Sequence, residues 1–182
     1  MAKKVLVPLA EGFEEIEAVT IIDVLKRAGI EVTIAGLENI EVTGAYAKLT
    51  IKTDKMLQDV TSSEFDMMVL PGGMPGSENL AKSQLVKSLL NEFAKDNKLL
   101  GAICAAPLAL NEAGVLKGDY TCYPSCEGII KEDGYISEQD VIINKNVMTS
   151  RGPATAMIFA LEIVKKLLGE QIYTELKSGL LA

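Results

Sequence analysis

One cysteine, Cys104, occupies a position typical of a nucleophile. It follows an apolar run at residues 98–103 and precedes a run of small, helix-favouring residues at 105–113. This pattern predicts a buried strand, a sharp turn and a helix, with the thiol on the turn. Because a helix N-terminus favours an anion, we expect a lowered pKa for the Cys104 thiol. A free cysteine is also commonly a small core side chain, and that alternative stays open.

Glu17 is the candidate for tuning this thiol, since the chain contains no histidine and the usual Cys–His pairing is unavailable. Ile21, Val24 and Ala28 follow it at helical spacing, so its carboxyl is expected to be desolvated and its pKa raised. A protonated carboxyl could donate a hydrogen bond to a thiolate. The alternative is a charge favoured only by a helix start. Three nearby glutamates are expected to face solvent, namely Glu11, Glu14 and Glu15.

Further candidates follow other predicted strands. A backbone N–H of Gly72 or Gly73 would be a natural oxyanion donor opposite a nucleophile, although the two glycines could form only a turn. Arg151 could bind an anion or pair with a surface carboxylate. Cys122 and Cys126 form a C-x₃-C pair without further zinc ligands and are interpreted as ordinary thiols. We predict no metal site and no cofactor, since phosphate-binding glycine loops and C-x-x-C are absent from the sequence.

Alternating apolar and helical runs must position these residues. Strands are predicted over 3–9, 30–35, 65–70, 98–103 and 120–123, helices over 13–28, 83–95, after Pro153 and over 170–177, and a hairpin over 141–149. A short antiparallel excursion is predicted at 41–51. The pattern indicates a doubly wound α/β domain, with a mostly parallel sheet sandwiched between helices. Ligands of such folds bind at the C-terminal ends of the strands, where Gly72, Cys104 and Arg151 all fall.

Length, composition and charge limit the kinds of protein that this chain can be. The 182 residues are expected to form a single domain, 1–182, with an aliphatic core, since 48% of them are hydrophobic. A net charge of −7 argues against nucleic acid or acidic membranes as partners. No apolar run reaches the roughly 18 residues of a membrane span, and the first apolar stretch is too short for a signal peptide. Three cysteines, an odd number, favour a reducing compartment, and we expect the cytoplasm.

Five motifs, in this order and spacing, resemble the ThiJ/PfpI superfamily and within it the DJ subfamily. They are GFEEIE at 12–17, RAG at 27–29, LPGG at 70–73, AICAAP at 102–107 and TSRGP at 149–153. The resemblance implies a flavodoxin-like sandwich that forms homodimers, with Cys104 on a nucleophile elbow and Glu17 protonated against it. It also implies that the N–H groups of Gly73 and Ala105 polarise a substrate carbonyl. Arg27 matches an arginine near the family's pocket and dimer contact.

One position departs from the family pattern. Many members carry a histidine in the strand after the elbow helix, where this chain has Tyr123. Tyrosine, with a pKa of ~10, is a poor base near neutral pH and would mainly exchange hydrogen bonds. The departure argues against the protease and amidotransferase branches, which need a Cys–His pair.

The resemblance implies two functions that share their residues. In the first, a cofactor-free glyoxalase or deglycase, the Cys104 thiolate adds to methylglyoxal or its amine or thiol adducts and Glu17 moves a proton. Gly72, Tyr123, Arg27 and Arg151 would line the substrate pocket. In the alternative, a non-catalytic redox sensor, Cys104 is oxidised to a sulfinic acid beside Glu17. A stress chaperone is a third possibility, for which the sequence offers no feature.

Overall fold

A seven-stranded, mostly parallel sheet forms the centre of the computed structural model, which describes residues 2–182. The strands are β1 (Lys4–Leu9), β2 (Glu31–Gly36), β3 (Glu41–Thr43), β4 (Thr50–Lys52), β5 (Lys55–Met56), β6 (Met67–Leu70), β7 (Leu99–Ile103), β8 (Val141–Asn144) and β9 (Val147–Ser150). Their order in the sheet is β5-β2-β1-β6-β7-β9-β8, with β8 antiparallel to β9. Strands β3 and β4 form a separate antiparallel pair.

Helices cover both faces of this sheet. They are α1 (Glu15–Arg27), α2 (Gly76–Lys82), α3 (Gln84–Lys95), α4 (Pro107–Glu112), α5 (Glu127–Ile130), α6 (Ala156–Leu168) and α7 (Glu170–Gly179). From β1 the chain crosses to β2 on one side, and from β6 it crosses to β7 on the other. Because such crossovers are right-handed, α1 and the pair α2–α3 lie on opposite faces. Helix α6 packs against α1, and α4 packs against α2 and α3.

The central strands are buried because helices shield both faces. Every residue of β6 is buried, and so is β1 after its first residue, which explains why both read as continuous apolar runs rather than alternating ones. The carboxyl ends of β1, β6 and β7 lie side by side, since these strands are parallel neighbours. The loops that follow them therefore meet at one edge of the sheet, where ligands of doubly wound folds bind.

The observed architecture confirms the predicted fold class and the antiparallel excursion. The strand predicted at 120–123 is wrong, because Tyr120 makes only a single bridge to Tyr135 and a turn follows. Pro124, which lacks a backbone donor, and the left-handed backbone of Ser125 turn the chain directly after these residues. Within residues 2–182, no helix combines the length and apolarity needed to cross a bilayer.

Candidate active site

Cys104 lies on the turn between β7 and α4, as its sequence context predicts. Its backbone is in the left-handed region, with φ of 63°, which is uncommon for a residue other than glycine and often marks a functional position. The backbone N–H of Cys104 donates to the Ser150 carbonyl at 2.9 Å, which fixes the turn to the end of β9. The residue is 8% exposed, so its thiol is largely shielded from water.

Glu17 faces this thiol from the first turns of α1. It is fully buried, and Ile21 and Val24 continue its buried line, as their spacing predicts. One carboxyl oxygen, Oε2, accepts a hydrogen bond from the Gly72 N–H at 2.7 Å. The other, Oε1, is buried without a well-formed hydrogen bond within residues 2–182, and the carboxyl interacts with the Cys104 thiol.

Burial raises the pKa of Glu17 to about 7, as the spacing with the apolar residues predicts in direction. The hydrogen bonds from Gly72 and Cys104 lower this pKa, while the charge of Glu14 raises it, and desolvation is the largest of these effects. The carboxyl is therefore about half protonated near neutral pH, which makes it a proton donor and a proton acceptor under the same conditions.

Glycines allow the loop after β6 to approach both groups. A Cβ on Gly72 would lie 2.6 Å from the Cys104 Cβ and 2.6 Å from Glu17 Oε2, so a side chain there would force the pair apart. Gly73, with φ of 94°, adopts a backbone conformation that favours glycine. The backbone N–H groups of Gly73 and Ala105 act on the Cys104 thiol and lower its pKa. The structure thus brings together all five of these predicted site residues.

The expected lowering of the Cys104 pKa is not found. Burial raises the pKa of this thiol, and the negative charge of Glu17 raises it further, outweighing the N–H groups of Ala105 and Gly73. Helix α4 begins only at Pro107 and has six residues, so its N-terminus offers a weak dipole. Since the two groups interact strongly, they titrate as a pair. Protonation of Glu17 removes the repulsion by its charge, which is the second cause of the raised pKa after burial.

Two of the glutamates expected to face solvent are buried and structural. Glu14 caps α1 by accepting the Glu17 N–H at 2.7 Å, which holds the turn that carries the site carboxyl. Glu15 accepts the backbone N–H groups of Tyr46 at 3.1 Å and Lys48 at 3.0 Å. Burial alone would raise the pKa of Glu15, but these N–H groups lower it overall. The partners of Glu15 lie about thirty residues away in the chain, and no local sequence signal marks them.

Tyr123 and Arg151 lie together beside the site. They line a cavity of about 270 Å³ with residues 152–155, Pro124 and Asp140. The Tyr123 N–H donates to the Cys104 carbonyl at 2.8 Å, and its ring lies against Gly152. The Arg151 guanidinium donates to the Ser137 carbonyl. The tyrosine is half exposed, so its hydroxyl is available to a ligand at this edge of the sheet.

Within one chain Arg27 does not lie beside Cys104 and Glu17, and its place near the pocket and the dimer contact stays a prediction. It lies at the last position of α1, ten residues after Glu17, which is about 15 Å along the helix axis. Its side chain is exposed and pairs with Asp23 at 2.6 Å. The helical rise therefore separates two motifs that lie close together in the sequence.

The remaining thiols lie in a different environment. Cys122 and Cys126 are free and buried. Burial and, to a smaller extent, the charges of Cys126 and Glu127 raise the pKa of Cys122 to about 12. The pKa of Cys126 is also raised by burial and by Glu127. The carboxyl group that acts on both of these thiols is that of Glu127.

A family model described as DJ-1/PfpI matches residues 3–166. The Drosophila melanogaster protein dj-1beta is 42% identical over 183 aligned positions, which cover 100% of this chain and 98% of that protein. A Caenorhabditis elegans protein named glutathione-independent glyoxalase DJR-1.2 is 38% identical over 162 positions, covering 88% of this chain and 86% of the relative.

Solved structures show the same architecture. The crystal structure of Drosophila DJ-1beta superposes with a TM-score of 0.96 and 42% identity, covering 100% of this chain and 99% of the other. A structure of Toxoplasma gondii DJ-1 in an oxidised form gives a TM-score of 0.92 at 36% identity, with 99% and 98% of the two chains covered. Both similarities extend over the whole of the sheet and the elements that carry the site.

Proposed function

Since this chain belongs to the DJ-1/PfpI family, we propose that it is a cofactor-free glyoxalase or deglycase that acts through Cys104 and Glu17. The substrate is a small aldehyde, methylglyoxal or its adduct on an amine or thiol. The observation that carries this proposal is the buried carboxyl of Glu17 against the Cys104 thiol, with a pKa raised to about 7. A group that titrates near neutral pH is suited to move protons in both directions.

The nucleophile forms when the pair holds one proton and that proton resides on Glu17. In this state the carboxyl is neutral, so its repulsion of the thiolate disappears and its O–H can donate to the sulfur. The N–H groups of Gly73 and Ala105 support the anion from the other side. The helix dipole that the sequence suggested is a smaller contribution, because α4 is short.

The reaction balances with water as the only co-substrate. The Cys104 sulfur adds to the aldehyde carbon, and Glu17 gives its proton to the resulting alkoxide oxygen, forming a hemithioacetal. The Glu17 carboxylate then removes the proton from that carbon and returns one to the neighbouring carbonyl carbon, while the hydroxyl proton moves from the first oxygen to the second, giving a lactoyl thioester on Cys104. Water cleaves the thioester, releases lactate and regenerates the thiol. The N–H groups of Gly73 and Ala105 stabilise the oxygen anions formed on the way.

Tyr123 and Arg151 are proposed to orient the substrate. Tyr123 lines this cavity and its backbone N–H donates to the Cys104 carbonyl. The tyrosine hydroxyl and the guanidinium are donors for the oxygen atoms of a ketoaldehyde. Tyr123 is not a base near neutral pH. Together with Gly72, whose small size permits the contact of Glu17 with Cys104, they define the pocket of the proposed enzyme.

The relative named as a glutathione-independent glyoxalase supports this reaction class. The test is lactate formation from methylglyoxal by the wild-type chain in D₂O, followed by proton NMR. We expect lactate that carries deuterium at the carbon next to the carboxylate, because Glu17 exchanges its proton with solvent between removal and return. Absence of lactate, or equal lactate from Cys104→Ser, would contradict the proposal.

A redox sensor is the second candidate, and it uses the same pair. A protonated Glu17 could hold a sulfinic acid on Cys104 by a hydrogen bond, and a relative has been crystallised in an oxidised form. The three free thiols suit a reducing compartment such as the cytoplasm, where a hydroperoxide would be the signal. Mass spectrometry after limited peroxide treatment tests it, and an unmodified Cys104 would exclude this role.

A second copy of this chain is the proposed partner. Exposed apolar side chains lie on the adjacent helices α1 and α6: Ile16, which is 58% exposed, Val19, Met157 and Ile158. Exposed apolar side chains on neighbouring helices are typical of an interface. Ile16 is next to Glu17 in the chain, so the dimer contact would lie close to the site. Analytical ultracentrifugation of the wild-type chain and of Val19→Glu tests this, with dimer and monomer expected respectively.

A further inference from the structure

A tight turn brings Cys122 and Cys126 together. The Cys126 N–H donates to the Tyr123 carbonyl at 3.0 Å, which closes a four-residue turn. Its two central positions are Pro124 and Ser125, the latter with φ of 84°. Proline followed by a positive φ is the pattern of a type II turn. The chain therefore reverses between the two cysteines.

The reversal places the Cys122 sulfur beside the backbone of Cys126. The Glu127 N–H acts on the Cys122 thiol and lowers its pKa, and this nitrogen belongs to the peptide group that joins Cys126 to Glu127. Disulfides connect residues whose Cα atoms are roughly 4.4–6.8 Å apart. The turn, which reverses the chain between the two cysteines, is the feature that favours so short a separation.

We propose that Cys122 and Cys126 form a reversible intramolecular disulfide, a second redox site that is separate from Cys104. The oxidant is a low-molecular-weight disulfide of the glutathione type. The turn between the two cysteines carries Tyr123, whose N–H is bonded to the Cys104 carbonyl. The redox state of this turn is thereby connected to the backbone of the proposed active site.

The exchange proceeds in two balanced steps. Cys126, which is 9% exposed while Cys122 is fully buried, loses its proton and attacks one sulfur of the oxidant. This forms a mixed disulfide and releases one small thiol. Cys122 then loses its proton and attacks the Cys126 sulfur, which releases the second small thiol and closes the internal bond. The protein loses two electrons and two protons, and the oxidant becomes two thiols.

Glu127 controls how readily the pair reacts. Its Oε2 atom is buried and has no hydrogen-bond partner in the part of the chain described, and its charge raises the pKa of both thiols. The other titratable or charged groups that act on Cys122 are Cys126, Arg151, Tyr120 and Tyr135. Among them Arg151 lowers the pKa of Cys122. Disulfide formation is therefore slow near neutral pH and accelerates as the pH rises.

The test uses the full-length Cys104→Ser variant, so its outcome does not depend on the proposed enzymatic role. The protein is equilibrated in mixtures of reduced and oxidised glutathione, quenched in acid and alkylated. One tryptic peptide, residues 118–131, contains both cysteines. We expect this peptide to lose two hydrogen atoms in oxidising mixtures and to regain two alkylatable thiols after reduction. Two free thiols, or a persistent glutathione adduct, at the most oxidising ratio would overturn the proposal.

Three further variants, each added to Cys104→Ser, sharpen the result. With Cys122→Ser we expect a stable glutathione adduct on Cys126, because no second thiol displaces it. With Cys126→Ser we expect the buried Cys122 to stay unmodified. With Glu127→Gln we expect the internal disulfide to form several-fold faster at neutral pH, since the charge that raises both thiol pKa values is gone. An unchanged or slower rate in Glu127→Gln would contradict the role given to this carboxylate.

Discussion

Cys104 and the Cys122–Cys126 turn are two buried thiol regions joined by the hydrogen bond from Tyr123 to the Cys104 carbonyl. Burial raises the thiol pKa in both regions. They differ in the carboxyl group beside each sulfur. Glu17 is itself buried and has a pKa of about 7, so it can give up its charge and donate a hydrogen bond. Glu127 acts on its two thiols as a negative charge.

In the proposed mechanism, a buried thiol becomes nucleophilic when a neighbouring group can hold its proton. Two backbone N–H groups act on the Cys104 thiol, and one acts on the Cys122 thiol. Both regions thus have some support for an anion. The proposed assignment of enzymatic chemistry to Cys104 and of slow disulfide exchange to Cys122 and Cys126 depends on this difference in the carboxyl.

The largest expected effect is that of Cys104→Ser, which should reduce lactate formation from methylglyoxal to the uncatalysed level, because Cys104 is the thiol beside Glu17. Cys122→Ser is the matched control and should retain activity within about twofold, since it changes a buried thiol away from the reacting atoms. The measurement is the initial rate at saturating methylglyoxal. A lower initial rate for Cys122→Ser than for Cys104→Ser would contradict the assignment of the enzymatic role to Cys104.

Glu17→Gln should lower kcat by roughly 10²–10⁴-fold, the usual contribution of a general acid–base group. The amide keeps a hydrogen-bond donor near Cys104 but cannot exchange a proton. Peroxide oxidation of Cys104 should therefore persist while lactate formation is lost. Glu17→Asp, one methylene shorter, should weaken the hydrogen bond to the sulfur and let oxidation pass the sulfinic stage, as seen by mass spectrometry. Identical oxidation products in both variants would mean that Glu17 does not contact the sulfur.

The stability of the fold should also depend on the protonation state of Glu17. A carboxyl whose pKa rises from 4.5 to about 7 on folding binds its proton more tightly in the folded state, so stability falls as pH rises through that range. Between pH ~4.5 and pH ~8, the free energy of unfolding of the wild-type chain should fall by about 3 kcal/mol more than that of Glu17→Gln. Urea unfolding of both proteins at the two pH values measures the difference. A difference independent of pH would show an ordinary, solvated carboxyl.

Gly72→Ala should destabilise the chain by about 1–3 kcal/mol, the usual range for overpacking. Its Cβ would meet the Cys104 Cβ and Glu17 Oε2 at 2.6 Å each, so the pair must separate and activity should fall as well. Gly128→Ala in α5 is the matched control, because nothing lies within 4 Å of an added Cβ there. That control should be neutral or slightly stabilising. Thermal unfolding compares the two, and equal losses would argue against the close approach at Gly72.

The smallest effect is expected from Tyr123→Phe. Its hydroxyl is proposed to orient substrate, and its backbone N–H, which contacts Cys104, is unchanged. KM should rise by a few-fold while kcat stays near the wild-type value, because no proton passes through the phenol. A large loss of kcat would instead give the tyrosine a chemical role comparable to that of Glu17.

Much of the fold and the central pair could be predicted from the sequence. Apolar runs that alternate with helical runs indicate the parallel sheet. The spacing of Glu17 with Ile21 and Val24 indicates a buried carboxyl. The position of Arg27 could not be read from its motif, because the rise of α1 carries it away from the site. The buried clamp of Glu15 on Tyr46 depends on a contact across the sequence. Local patterns do not record such contacts.

The pKa of Cys104 was the least accessible property. The sequence indicates a helix after the cysteine, which would lower the thiol pKa. In the folded chain, burial and the charge of Glu17 dominate and raise it. The amount of burial depends on how α1, the Gly72 loop and the elbow pack together, and spacing alone does not give it. The sign of the shift therefore emerges only with the three-dimensional arrangement.

The most direct test of the central claim, that Glu17 and Cys104 share one proton, is the pH dependence of Cys104 alkylation. Iodoacetamide rates would be measured in a Cys122→Ser/Cys126→Ser background, with and without Glu17→Gln. With Glu17 present, we predict an inflection near pH 7 from the pair and a second, much later rise as the sulfur ionises beside the charged carboxylate. With Glu17→Gln, we predict a single inflection. Superimposable profiles for the two proteins would contradict the shared proton.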